Sequence, residues 1–130
     1  MIIDTSAIIA ILKGEPDAER FQAALADAMD QIVLSAASYL EAGIVVDRNA
    51  SATLSARFDD LLETFAIAIA PVTEAQAKCA RAAYRKYGKG SGHSAGLNFG
   101  DCFSYALAME QAEPLLFKGA DFGATDVMVA

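Results

Sequence analysis

The chain has 130 residues, 55% of them hydrophobic, and a net charge of −7. That length supports one domain with a real core, while no stretch approaches the roughly 20 apolar residues of a membrane span. The acidic balance argues against simple, non-specific binding to nucleic acid.

MIID reads as a short buried strand with no basic leader before it, so a cytoplasmic protein without membrane association is expected. TSAIIAILKGE follows as a helix behind a Thr/Ser cap. Pro16 suits the first turn of a second helix over residues 16–28, whose early acids favour the dipole. QIVLS is a second strand ending in a capping serine, and AASYLEAGIVVDR a helix. The segment 49–65 carries apolar residues at helical spacing, at Leu54, Phe58, Leu61, Leu62 and Phe65. AIAIAPV is a strand stopped by Pro71, and TEAQAKCARAAYRKY a helix behind Thr73. GKGSGHSAG is a glycine-rich loop without Walker A spacing. NFGDCFSYALAMEQ is a helix, PLLF a strand, KGADFGATD a loop or short helical turn, and VMV a last strand. Cys79 and Cys102 lack metal-ligand spacing and are expected to be buried free thiols.

Short apolar strands alternating with helices predict an α/β domain spanning residues 1–130. Its expected form is a three-layer sandwich, with a mostly parallel central sheet of four to five short strands flanked by helices.

In such sheets ligands bind outside the carboxyl ends of the strands. Asp4 ends the first strand, where it either starts the next helix or faces a ligand. Glu41 falls in an apolar helical stripe with Ala37, Ile44 and Val45, a costly place for a carboxylate without a partner; Arg48 is one candidate partner. Asp101 stands three residues after Asn98, so a capping box is available to it. Gly100 before it is a poor helix former and leaves room for another group to approach. Asp121 follows PLLF through a short turn, and Asp126 precedes the last strand; turn chemistry alone accounts for either. If Asp4, Glu41, Asp101 and Asp121 converge, each pair at about 5 Å repels by roughly 3 kcal/mol at an effective dielectric near 20. Such a group must protonate, separate or bind a cation, and oxygen ligands select Mg²⁺ or Mn²⁺.

Between Glu74 and Asp101 there is no acid, and Lys78, Arg81, Arg85, Lys86, Lys89 and the single histidine, His93, lie there. This window suits either a solvated helix face or the edge that meets a polyanion.

MIIDTSAIIAIL, SAASYLEAGIVV, LNFGDCFSYALA and LLFKGADF, in this order and spacing, resemble the PIN-domain ribonucleases, and most of all the VapC-type toxins of bacterial toxin–antitoxin pairs. The resemblance implies a PIN-like fold and a Mg²⁺- or Mn²⁺-dependent endoribonuclease that cuts RNA. It also implies a cognate VapB-type antitoxin and a homodimer. By motif, Asp4, Glu41, Asp101 and Asp121 become the catalytic and metal-binding acids, with Ser6 and Asp126 as weaker candidates. Ala120 departs from the pattern, standing where relatives commonly carry Asn. Arg81, Arg85, Lys86 and Lys89 would then lie near the RNA backbone, with Tyr84 and Tyr87 available for base stacking. Two other possibilities are a phosphatase or phosphotransferase with Asp4 as nucleophile and a catalytically silent PIN-fold binding module. Metal-free cleavage by His93 is disfavoured, because it is a lone histidine in a flexible loop.

Overall fold

The computed structural model describes residues 1–28, 31–48 and 52–130. The elements, in chain order, are β1 (Ile2–Ile3), α1 (Thr5–Lys13), α2 (Ala18–Ala26), β2 (Val33–Ser35), α3 (Ala36–Arg48), α4 (Ala52–Thr64), β3 (Ala68–Ala70), α5 (Glu74–Tyr87), α6 (Asp101–Gln111) and β4 (Leu115–Leu116). A 3-10 turn at Phe122–Ala124 follows. The four strands form one parallel sheet in the order β3-β2-β1-β4. The expected fifth strand, VMV, contributes only a single parallel bridge from Val129 to Leu115.

Strand periodicity divides the core into two layers. Ile3, Leu34 and Leu116 pack on one face with side chains of α1, α2, α3 and α4. Their neighbours Ile2, Val33 and Leu115 point the other way, into a cluster with α5 and α6. Alternation along buried parallel strands therefore gives the three layers directly. Among the described residues no helix is long and apolar enough to cross a membrane.

Local signals set most boundaries. Gly14 ends α1 in the left-handed region at φ 63° and returns its N–H to the last turn. Thr73 caps α5 through the Gln76 N–H at 3.1 Å, and Ser35 Oγ accepts from Ala37 N–H at 3.3 Å. One expected cap differs. The side chain that starts α1 is Asp4, which accepts from Ser6 N–H, while Thr5 and Ser6 lie inside the first turn. An ionised carboxylate is the stronger acceptor there and also favours the helix dipole. Residues 49–51 of the expected 49–65 helix lie outside the described residues.

Leu34 is fully buried at the centre of the sheet. Leu34→Ala is expected to cost about 2–5 kcal/mol in urea unfolding; a loss below about 1 kcal/mol would mean that this layer is not close-packed.

Candidate active site at the carboxyl edge of the sheet

The parallel strands deliver their carboxyl ends to one edge, and Asp4 leaves β1 there. It is 2% exposed, so its charge must be met by donors. Oδ2 accepts from Ser6 N–H at 2.8 Å and from Ser6 Oγ at 2.6 Å. Oδ1 accepts from the fully buried Ser104 Oγ of α6 at 2.6 Å. Ser6 Oγ in turn accepts from Lys118 N–H at 3.0 Å. This ties Asp4 to the segment that carries Asp121.

Glu41 takes a different kind of partner. Its Oε2 accepts from the Thr5 hydroxyl at 2.9 Å, and among the described residues Arg48 forms no ion pair with it. The carboxylate lies against Gly100, so closely that a Cβ there would stand 2.6–2.8 Å from its carboxyl atoms. The group that needs the missing side chain of Gly100 is thus Glu41. Any side chain at residue 100 has to displace that carboxylate.

Asp101 opens α6 within a reciprocal cap. Its Oδ2 accepts from Asn98 N–H at 2.7 Å, and Asn98 Oδ1 accepts from Asp101 N–H at 2.9 Å. Burial raises the Asp101 carboxyl to about 6, against the lowering effect of the Asn98 N–H. The negative charges of Asp4, Asp121 and Glu41 push it further in the same direction. The four acids singled out from the sequence therefore share one electrostatic neighbourhood, and none of them enters an ion pair among the described residues. No three acids, cysteines or histidines among the described residues stand together at metal-ligand spacing. Glu41 is tethered to Thr5 and Asp101 to Asn98, each on its own element.

Asp121 is exposed and stands at the start of the 3-10 turn without a side-chain cap bond. Buried Phe122, packed on Phe117, anchors the loop beneath it. Asp126 lies apart. Its Oδ1 accepts from the Tyr105 hydroxyl at 2.7 Å, and Lys86 Nζ stands 3.6 Å from Oδ2. The Tyr105 bond, chiefly, holds its carboxyl below the ordinary carboxylate range.

The basic window divides in the same way. Lys86 is engaged by Asp126 and stacked over the Tyr87 ring at 4.5 Å. Tyr87 is 4% exposed and packs on Tyr105 and His93; it is a core residue and has no face to offer a base. Tyr84 is exposed and lines an apolar pocket with Arg81, Phe99 and Phe103. His93 Nδ1 accepts from Ala95 N–H at 3.1 Å in an exposed loop. Both cysteines are free thiols, and burial, with the Asp101 charge, lifts the Cys102 thiol to about 11.

Sequence reading passed over Ser38 and Ser104. The signal was helical spacing: Ser38 lies one turn before Glu41 and Ser104 one turn after Asp101. Each buried hydroxyl is thus carried to the edge by a helix that also carries an acid.

Two outcomes follow from this geometry. Gly100→Ala should leave the core layers in place yet displace Glu41, lowering turnover at least about tenfold with a modest change in melting temperature; wild-type turnover would remove the steric argument. For Asp101, the folded carboxyl binds its proton more tightly than the unfolded one, at about 6 against 3.8. Stability therefore falls as pH rises through that window and stays low above it. In EDTA, Asp101→Asn should be more stable than wild type by about 1–2 kcal/mol at pH 7.5 after allowance for solvent screening. The advantage should vanish near pH 4. Urea unfolding at the two pH values checks this, and equal stability at both would show that the charge at Asp101 carries no cost.

A family model for the PIN domain matches residues 1–128. Ribonuclease VapC28 of Mycobacterium tuberculosis is 58% identical over 130 residues, covering 100% of this chain and 97% of the relative. Ribonuclease VapC of Mycolicibacterium smegmatis is 51% identical over 128 residues, covering 98% and 97%. Among solved structures, VapC20 of Mycobacterium tuberculosis, described as a Sarcin-Ricin loop cleaving toxin, superposes with a TM-score of 0.79 at 14% identity, covering 99% of this chain and 97% of that one. A toxin–antitoxin complex from Klebsiella pneumoniae gives 0.73 at 19% identity, covering 99% and 95%. The chain belongs to the PIN-domain family and, within it, to the VapC ribonucleases.

Proposed function

We propose that this chain is an endoribonuclease, the toxin of a VapBC-type toxin–antitoxin pair, and that Asp4, Glu41, Asp101 and Asp121 form its divalent-metal site. The observation that carries the site assignment is the close approach of the Glu41 carboxylate to Gly100, next to Asp101, at the edge where Asp4 leaves β1. Carboxylates that enter no ion pair among the described residues suit a hard ion such as Mg²⁺ or Mn²⁺ better than a soft one. Asp4 and Asp101, both held by hydrogen bonds, would hold the ion directly, and Glu41 and Asp121 would hold it or its waters. Bound there, the ion supplies charge neutralisation at the scissile phosphate and a water of lowered pKa. The chain's part is to hold Asp4 and Asp101 in place, through Ser6, Ser104 and the Asn98 cap. Products should carry a 5′-phosphate and a 3′-hydroxyl, with no call on the ribose 2′-hydroxyl.

Phosphatase sites with a covalent Asp nucleophile usually carry a second acid two residues after it, and here that residue is Ser6, bound to Asp4 Oδ2, which disfavours that alternative. Intact acids at all four positions likewise disfavour a silent binding module. Of the four cations first assigned to the RNA, Arg81, Arg85 and Lys89 remain the candidates for phosphate contact, since Lys86 is neutralised by Asp126. The antitoxin assignment draws on apolar surface next to the acids. Leu40, Ile44 and Phe99 are exposed at 61%, 43% and 77%, and a groove of about 540 Å³ runs beside Glu41. Exposed patches of this kind mark partner surfaces. A homodimer and cytoplasmic residence complete the proposal.

RNA cleavage in Mg²⁺ or Mn²⁺ tests it, with EDTA and Asp101→Asn as controls. Both controls should lower cleavage by roughly 100-fold or more. Wild-type cleavage by Asp101→Asn in EDTA would sink the metal-site assignment and leave the family membership untouched.

A further inference from the structure

Phe99 is 77% exposed, although it stands only two residues before Asp101. Its ring is held edge-on by Phe103, with centroids 5.0 Å apart and planes at 83°. The two rings form a ridge between two grooves. On one side lie Glu41 and Gly100. On the other, a cavity of about 340 Å³ opens between α5 and α6.

The lining of that cavity narrows what can fill it. Ala77 and Ala80 are too short to occupy the space, while Tyr84, Phe99 and Phe103 surround it with rings. Arg81 is its one charged group and forms no ion pair among the described residues. The Cys102 thiol is spent on the Asn98 carbonyl at 3.3 Å. An unpaired nucleobase is flat, apolar on both faces and joined to a phosphate. Proteins hold such bases by stacking them on aromatic rings, and a guanidinium matches the phosphate. An apolar peptide side chain would use the rings and leave Arg81 unmet. Position favours the base as well. Two residues of chain span at most about 7 Å, so the ridge at Phe99 lies beside the acid that opens α6.

We infer that this cavity is a nucleobase subsite, taking one unpaired base of the RNA against Phe99 and Tyr84 with its phosphate on Arg81. The Tyr84 hydroxyl is the only neutral polar side-chain group left free in the lining to read a base edge. The subsite therefore accepts any base and selects single-stranded RNA, not a sequence. This rests on the ribonuclease reading above and needs no bound metal.

The test compares two probes on the full chain in EDTA at low salt, by fluorescence anisotropy. One is a short single-stranded oligoadenylate, the other a ribose-phosphate oligomer of equal length without bases. Wild type should prefer the oligoadenylate. Phe99→Leu keeps the apolar bulk and removes the ring, and at so exposed a residue the melting temperature should hold. It should weaken oligoadenylate binding roughly 5-fold or more and leave the baseless probe unchanged. Tyr84→Leu should act in the same direction, and Arg81→Gln should weaken both probes alike. Wild-type binding of oligoadenylate by Phe99→Leu and Tyr84→Leu overturns the inference. So does a Phe99→Leu chain whose sedimentation mass changes while RNA binding stays intact, since the cavity then belongs to a protein contact. A wild-type chain that cuts RNA in Mg²⁺ yet shows no preference for the probe with bases defeats the subsite alone. One that neither binds oligoadenylate nor cuts RNA defeats the ribonuclease reading itself.

Discussion

The carboxyl edge of the sheet depends on how an ionised Asp4 is kept out of water. Sealing a carboxylate in a protein interior costs several kcal/mol unless donors replace its hydration, and three of them do so. They arrive from separate parts of the chain: the first turn of α1 through Ser6, α6 through Ser104 and, one bond removed, the Lys118 backbone. One buried charge thus sets the mutual placement of β1, α1, α6 and the loop before the 3-10 turn. The same contacts cap a helix and aim an acid, so structural support and chemical purpose are one arrangement here.

The donors around these acids are neutral. Hydroxyls of Thr5, Ser6 and Ser104 and the N–H groups of Ser6 and Asn98 meet the carboxylates. Lysines and arginines find their acids elsewhere, as in the pairs Lys118 with Glu15 and Lys86 with Asp126. Neutral donors lower the desolvation cost and leave net negative charge in place. Gly100 extends the same logic in steric form, since its missing side chain lets Glu41 come within contact of the turn that carries Asp101.

What was legible in the sequence follows the range of the interactions. The Asn98–Asp101 cap and the Thr73 cap are local, readable from spacing, and present. The alternation of short apolar strands with helices gave the layers, because parallel strands buried on both faces leave few other arrangements. Tyr87 packs on the inner face of α5, a placement that the basic residues around it do not announce. Asp126 was grouped with the acids by motif, although its charge is spent on Tyr105 and Lys86. Spacing places Ser38 and Ser104 on the acid-bearing faces of their helices, but the long-range pairings themselves are not legible. Nothing near Glu41 announces Thr5, and nothing near Asp4 announces Ser104, because those contacts exist only once β1, α3 and α6 are packed.

The balance of charge also links the two occupants proposed for this edge. RNA brings phosphates, and an uncompensated ring of carboxylates repels them over the distance at which screening is incomplete. A divalent ion held there would reduce that negative charge, so ion binding and RNA binding would favour each other by the same free energy, whichever comes first. Arg81, Arg85 and Lys89 lie on or just beyond α5 and can attract the polyanion before it reaches the acids. A protein partner has no such need of the ion. It can cover Leu40, Ile44 and Phe99 and oppose the bare carboxylates with its own cations, a mode of occupation that RNA cannot imitate.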